Sequence, residues 1–414
     1  MGDTEIGSKK DHYDIVIAGG GMIGTSLGLA LAPLKLRIAV VEAVARAEKQ
    51  QSSFDDRSTA LSRSSQRMFE AMGLWQDIAR SSTPIKSIHV SDRGRFGFSH
   101  IDAQEQGVEA LGYVVINRTL GEVLHQALRE VDGVELVCPG KITNVGLSAD
   151  TASVGVESAD GGSRRLSCDL LVASDGANSG VRDMVGISAS RVDYEQVAIV
   201  GNLATEKPPD NRAFERFTDT GPIAMLPVKD DRAAFVWTTA PARAGVLMQK
   251  PDDEFTNQLQ EAFGNRLGAF SRVGKRAAYP LALSKASRLF ERRCVLIGNA
   301  AHGLHPVAAQ GFNLGLRDVA ALSDCIADAQ GNDVGDAEIL EKYAKWRHTD
   351  QRQLVRITDG IVRIFGSAKA PVRVLRNLGM LGFDLLPGVR SLFAKHMMGL
   401  TGRLPRLSRG LPLE

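Results

Sequence analysis

The sequence predicts an α/β chain: a Rossmann-like domain whose parallel sheet is split along the chain, an antiparallel sheet domain inserted into it, and a C-terminal helical tail. Three observations predict it. Short apolar runs of the buried parallel kind stand at 14–18 and 36–41, and again at 169–174 and 293–298. Residues 192–279 carry short strands broken by Pro208-Pro209 and Asp230-Asp231, the pattern of an antiparallel sheet. Beyond residue 365, apolar residues recur at helical spacing on both sides of Pro387. A chain of 414 residues is too long for one ordinary core. The expected boundaries are 1–84, 101–186 and 286–365 for the discontinuous domain, 85–100 and 187–285 for the inserted one, and 366–414 for the tail.

The elements follow in order. The strand 14–18 runs into Gly19-Gly20-Gly21, residues 22–32 read as a helix that Pro33 ends, and 36–41 is a second strand closing on Glu42. Residues 57–72 read as a helix with Gly73 as its stop. Residues 85–98 are strand-like and 119–131 helical. From 134 to 174 the pattern is β, with Asp160-Gly161-Gly162 as a hairpin turn, and the strand 169–174 ends at Asp175-Gly176. Residues 311–329 and 340–365 are long helices. No repeat of solenoid length occurs.

Composition narrows the function. The net charge is +2, and no basic stretch is interleaved with aromatics, so nucleic acid is not an expected partner. The four cysteines form no CxxC pair, which argues against a disulfide framework or a zinc site and fits a reducing cytosol. No run reaches the ~18 apolar residues of a spanning helix. No metal cluster or catalytic triad is legible, so no metal is expected.

One motif carries most of the chemistry. Gly19-x-Gly21-x-x-Gly24 follows a strand, opens a helix through Met22 and Ile23, and is followed by Glu42 at the end of the next strand. Gly19 permits the tight turn, Gly21 lets backbone approach a pyrophosphate, and Gly24 allows close helix–strand packing. Glu42 is placed to accept from ribose hydroxyls. A bare GxGxxG is weak, and a glycine-rich turn in an ordinary α/β protein is the bland reading. The strand, helix and acid at the required spacing favour a dinucleotide without choosing between NAD and FAD.

Later segments choose by resemblance. DLLVASDGANSGVR (169–182) resembles the "DG" motif of flavoprotein aromatic hydroxylases, and VLIGNAAH (295–302) their "GD" motif. PVAAQGFNLGLRD (306–318) is similar to the flavin loop and its helix. DDRSTALS (55–62), INRTLGEVL (116–124) and EKYAKWRHTDQRQ (341–353) extend the likeness along nearly the whole chain. Within that class the chain resembles the ubiquinone-biosynthesis hydroxylases, and GNAA looks like the branch acting on 2-polyprenyl-6-methoxyphenol.

The resemblance implies non-covalent FAD, NAD(P)H or a redox partner as electron source, O2, and hydroxylation of a polyprenylated phenol through a flavin C4a-hydroperoxide. It implies cofactor contacts from Arg57, Arg118, Asp175, Gly176, Gly298, Asn299, Gly311 and Asn313, the dipole of the helix at Gly311 facing the flavin. Asn299 stands where the family usually has Asp, and Ala309 where glycine is common before Gln-Gly. His305 and Pro306, in the flavin loop, are the candidates for touching a phenol, with a structural histidine as the bland reading; His302 is read the same two ways. Met225 and Pro227 share a strand face, as do Phe235 and Trp237. They are candidates for an apolar substrate wall, against the bland reading of ordinary core. The alternatives are another flavin-fold oxidoreductase or a non-catalytic flavoprotein subunit of a biosynthetic complex. The halogenase WxWxIP pattern is absent, and no second GxGxxG marks a separate NAD(P)H domain.

The tail completes the reading. From Arg363 to Glu414 nine basic residues face two acids, a net of +7, so the rest carries −5. Val374, Leu375, Leu378 and Leu381 form one stripe, and Val389, Leu392, Phe393, His396, Met397 and Leu400 a second. Two readings stand side by side: docking on the body or a sister subunit in a homo-oligomer or ubiquinone-biosynthesis complex, or contact with an anionic bilayer. The expected location is cytoplasmic, with the tail as the part that would meet the inner face of the membrane.

Overall fold

The computed structural model describes residues 11–45, 57–94, 98–303, 310–329, 331, 333–366 and 387–413. Its first layer is the sheet that the apolar runs foretell. β1 (His12–Ala18) lies between β2 (Ile38–Val41) and the long strand Ser163–Ala173, parallel to both. Val134–Val137 extends the sheet beyond β2, and Cys294–Leu296 extends it beyond Ser163–Ala173, all parallel. The near-continuous burial of these strands follows from helices packed on the face: α1 (Met22–Leu31), Asn117–Glu130 and Gln310–Ala327 share one core with Ile15, Ile17, Val40 and Val172. The opposite face is closed by the antiparallel strands Gly140–Leu147 and Ala152–Ser158, through Val154, Val156 and Leu166.

The second layer is a nine-stranded sheet, mostly antiparallel, built from Ser87–Asp92, Phe98–Asp102 and strands within Ala189–Ala286, with His302–Gly303 at its edge. Two helices, Pro241–Gln249 and Asp252–Phe263, cover one face. The strand pattern of this region had not suggested them. Their start signals are present: Pro241 in the first turn of one, and Asp252, Asp253 and Glu254 in the first turn of the other.

A small three-stranded sheet joins the layers. Here the expected helix 57–72 is corrected. Ser58–Ser62 is a strand paired with Gly112–Ile116, and the helix is Arg63–Ala71. Ser62 caps it, its side chain accepting from the Ser65 N–H. Ile85, Val114 and Ala213, with Ala60, Ile88, Leu226 and Val228, form an apolar contact between the small sheet and the uncovered face of the large one.

Candidate active site

The glycine turn lies at the carboxyl ends of the parallel strands, where open α/β sheets bind ligands. Gly19 has φ +99°, and a Cβ there would sit 2.8 Å from the Ser174 carbonyl oxygen. A Cβ on Gly24 would lie 1.9 Å from the Gly19 oxygen and 2.6 Å from Ser174 Oγ. Ser174 Oγ donates to the carbonyls of Ala18 and Gly19 at 2.8 and 3.0 Å, so the turn and the DG segment are held edge to edge. Glu42 is fixed beside them: Oε2 accepts from the Gly20 N–H at 2.7 Å and Oε1 from the Val44 N–H at 2.9 Å. Each carboxylate oxygen keeps a lone pair for a further donor.

The other expected contacts converge on the same edge. Ile23 is the nearest neighbour of a Cβ built on Gly298, at 3.2 Å, and on Gly315, at 2.8 Å, so the first helix, the GNAA turn and the helix Gln310–Ala327 meet there. Met22 and Gly21 remain partly open. Gly176, at φ +91°, and Gly311 have nothing among the described residues within 4 Å of an added Cβ. Asn299 is exposed on a short 3-10 turn (Gly298–Ala300). Arg182, though buried, donates to the carbonyls of Ala177 and Ala300 and ties the DG loop to that turn. Arg57 stacks on Tyr279 of the large sheet, 4.5 Å from the ring centre, and its carbonyl accepts from the Asn117 N–H, next to the exposed Arg118.

A model described as "FAD binding domain" matches residues 12–358. This chain belongs to that family. The FAD-binding chain is also similar to ubiquinone hydroxylase UbiL of Rhodospirillum rubrum, with 35% identity over 98% of this chain and 95% of the relative. It is 30% identical to 3-demethoxyubiquinol 3-hydroxylase of Escherichia coli, over 94% and 98% of the two chains. Its fold matches p-nitrophenol 4-monooxygenase PnpA of Pseudomonas putida with a TM-score of 0.78 at 18% identity, over 95% and 99%. The glycine cradle suits the group that the family binds: positions 19 and 24 exclude side chains, and positions 176 and 311 leave room among the described residues.

Two of the expected contact residues also have partners within the chain. Asp175 turns toward its own loop, accepting from the Ser179 hydroxyl and, at 3.1 Å, from the Val181 N–H. The Asn313 side chain is buried: its oxygen accepts from Ser62 N–H and Ser65 Oγ, both at 2.8 Å, and its amide donates to the Ala60 carbonyl at 2.8 Å. It staples the helix to the small sheet. His305 and Pro306 lie outside the described residues, as does Ala309.

The proposed substrate wall is corrected. Met225, Phe235 and Trp237 are at most 1% exposed and pack with Phe255 and Leu259 beneath the two covering helices. Pro227 is buried on the same strand face as Met225. The opposite face of this sheet looks toward the FAD-binding layer. There Pro222, Ala224, Leu226 and Val236 keep accessible surface.

A buried charge network, absent from the sequence reading, holds the turn in place. Asp318 is fully buried and accepts from the Gly298 N–H at 2.9 Å, His302 Nε2 at 2.6 Å, Arg347 Nε at 2.7 Å and Gln351 at 3.3 Å. Burial alone would raise its pKa; His302 and Arg347 outweigh that and hold the carboxyl well below the usual range. Arg347 and Arg317 also pair with Asp350. The sequence signal was Arg317-Asp318 on an otherwise apolar helix face.

The tail helix Pro387–Met397 docks on the body. Phe393, Ala394, Met398 and Leu400 pack on Ile101, Ala103 and Leu111, and Arg390 pairs with Glu105 at 2.9 Å. Gln310 donates to the Met397 carbonyl at 3.2 Å, linking the tail to the start of the cofactor-side helix. The first stripe, 374–381, lies outside the described residues. Among the described residues no helix is long and apolar enough to cross a membrane, and no group of side chains could hold a metal.

Proposed function

We propose that this flavoprotein hydroxylates the aromatic ring of a polyprenylated phenol in ubiquinone biosynthesis. The observation that carries the reading is the likeness, along nearly its whole length, to two hydroxylases named for ubiquinone and a demethoxyubiquinol. FAD, when bound, supplies the redox chemistry that transfers an oxygen atom from O2, with NAD(P)H or a redox partner as reductant. The chain's own residues bind and orient. Gly19, Gly21 and Gly24 admit the dinucleotide, with Met22 and Ile23 in the helix turn above it. Glu42 receives its ribose, and Arg57 and Arg118 face its charge. Gly176, Gly298, Asn299 and Gly311 border its path, and Asp175 and Asn313 shape the loops around it. The space between the uncovered face of the nine-stranded sheet and the cofactor layer holds the phenol away from bulk water. The test is oxygen-dependent hydroxylation of a short-chain 2-prenyl-6-methoxyphenol by the purified, FAD-loaded chain, beside quinone-intermediate profiles of a strain lacking the gene. An unaltered profile, together with no product, would sink the reading.

A second part of the proposal concerns where the substrate is met. Val389 and Leu392, 49% and 65% exposed, face outward from the docked tail helix, in a stretch of sequence from Arg363 on that carries a net charge of +7. We assign them to peripheral contact with an anionic bilayer, hydrophobic burial and charge acting together. Changing both Val389→Glu and Leu392→Glu should abolish co-sedimentation with anionic vesicles at low salt and leave FAD bound. Unchanged co-sedimentation would assign those side chains elsewhere.

A further inference from the structure

The large sheet presents one row of side chains across its uncovered face. Cross-strand register sets Ser99 beside Val90, Val90 beside Glu215, Glu215 beside Ala224, and Ala224 beside Val236. On its own strand, Arg212–Thr218, Glu215 alternates with Phe214, which belongs to the core under the covering helices. Ala213, two residues before it, touches the small sheet on the cofactor side. Glu215 therefore points into the same space as Ala224 and Val236, between the two layers.

A carboxyl is out of place there. Its neighbours in register are alanine and valine, and in the next rows Leu226 and Phe217. Part of the residue's surface stays open, yet burial pushes the carboxyl up to about 7, with no hydrogen bond or opposite charge from the described residues offsetting it. The hydroxyl of Ser99, at the end of the row, is buried with no partner among the described residues. Stability alone does not favour an unpaired carboxyl on an apolar floor. A polar group held ready on an apolar floor points to a ligand that is mostly apolar and brings one polar atom to meet it.

Resting on the phenol-hydroxylase reading, we propose that Glu215 is the catalytic residue that receives the substrate's phenolic hydroxyl. The step is a proton transfer: the phenol O–H bond breaks, a carboxyl O–H bond forms, and nothing is oxidised or reduced. A ring bearing more negative charge on oxygen is a better nucleophile toward an electrophilic oxygen donor. A phenol of pKa ~10 is a weaker acid than a carboxyl near neutrality, so the transfer is partial in the ground state and advances as the ring gives up electron density. The apolar neighbours exclude cationic ligands and suit an aromatic ring with a prenyl chain.

The test uses the FAD-loaded enzyme with two probes, a short-chain 2-prenyl-6-methoxyphenol and its O-methyl ether. Wild-type protein is expected to bind the free phenol ~10- to 100-fold more tightly than the ether, as for a hydrogen bond to a buried carboxyl. Glu215→Ala should erase that preference. Glu215→Gln keeps a hydrogen-bonding group but no proton acceptor, so KM should move little while kcat falls ~100-fold or more. Melting temperature should hold or rise in both variants, whereas a residue needed only for folding would lower it. An alanine variant that still prefers the free phenol, or a glutamine variant with full kcat, overturns the role of Glu215. A wild-type enzyme that produces no hydroxylated phenol overturns the functional reading itself.

Discussion

Gly24→Ala is expected to yield a folded but colourless protein. The added methyl carbon would stand 1.9 Å from the Gly19 carbonyl oxygen and 2.6 Å from Ser174 Oγ, both fixed by their own hydrogen bonds. The helix Met22–Leu31 would have to lift off the turn, taking its N-terminal N–H groups away from the pyrophosphate. Loss of visible absorbance, with FAD affinity weakened ~100-fold or more, is the expected outcome. Circular dichroism close to wild type would show that the sheet survives. A yellow Gly24→Ala protein would mean that the turn tolerates a side chain and that the steric argument is wrong.

Asp318→Asn is expected to cost ~3–5 kcal/mol of stability, because it strips the buried Arg347 and His302 of their shared counter-charge. The urea midpoint should fall accordingly, read by tryptophan fluorescence. The sign with pH follows from the depressed carboxyl. Its stabilisation is fully present above the unfolded value of ~3.9 and is lost as pH falls through the lower folded value. Wild-type and variant stabilities should therefore converge in strong acid and differ most at neutral pH. A difference that does not shrink on acidification would remove the charge network from the explanation.

The cofactor edge was legible because its residues are dictated by local sterics: only glycine fits at 19 and 24, and buried parallel strands read as apolar runs. The strand Ser58–Ser62 was not legible. Ser-Thr-Ala-Leu-Ser carries little β signature, and its partner, Gly112–Ile116, lies more than fifty residues on. The alternation of Met225, Phe235 and Trp237 showed that the strands have two faces but not which face the helices Pro241–Gln249 and Asp252–Phe263 would cover. Polar residues within helices were harder still. Asn313 and Asp318 sit in one helix, yet their partners come from strands, turns and a second helix distant in sequence. The tail's second stripe was legible as amphipathic, but its division was not: Phe393 and Leu400 turn inward, and Val389 and Leu392 outward.

The pairing of Ser163–Ala173 with Cys294–Leu296 has a consequence for biosynthesis. The strand that completes the cofactor sheet is made more than a hundred residues after its neighbour, once all of the second sheet except its edge strand His302–Gly303 has been synthesised. The Gly298 turn and the helix Gln310–Ala327 come later still, and Met397, whose carbonyl Gln310 engages, is made 87 residues after Gln310. Such pairing is of high contact order and slow to close. On the ribosome the growing chain therefore holds a glycine turn with no far wall, and its apolar strand edge stays exposed until Cys294–Leu296 has emerged.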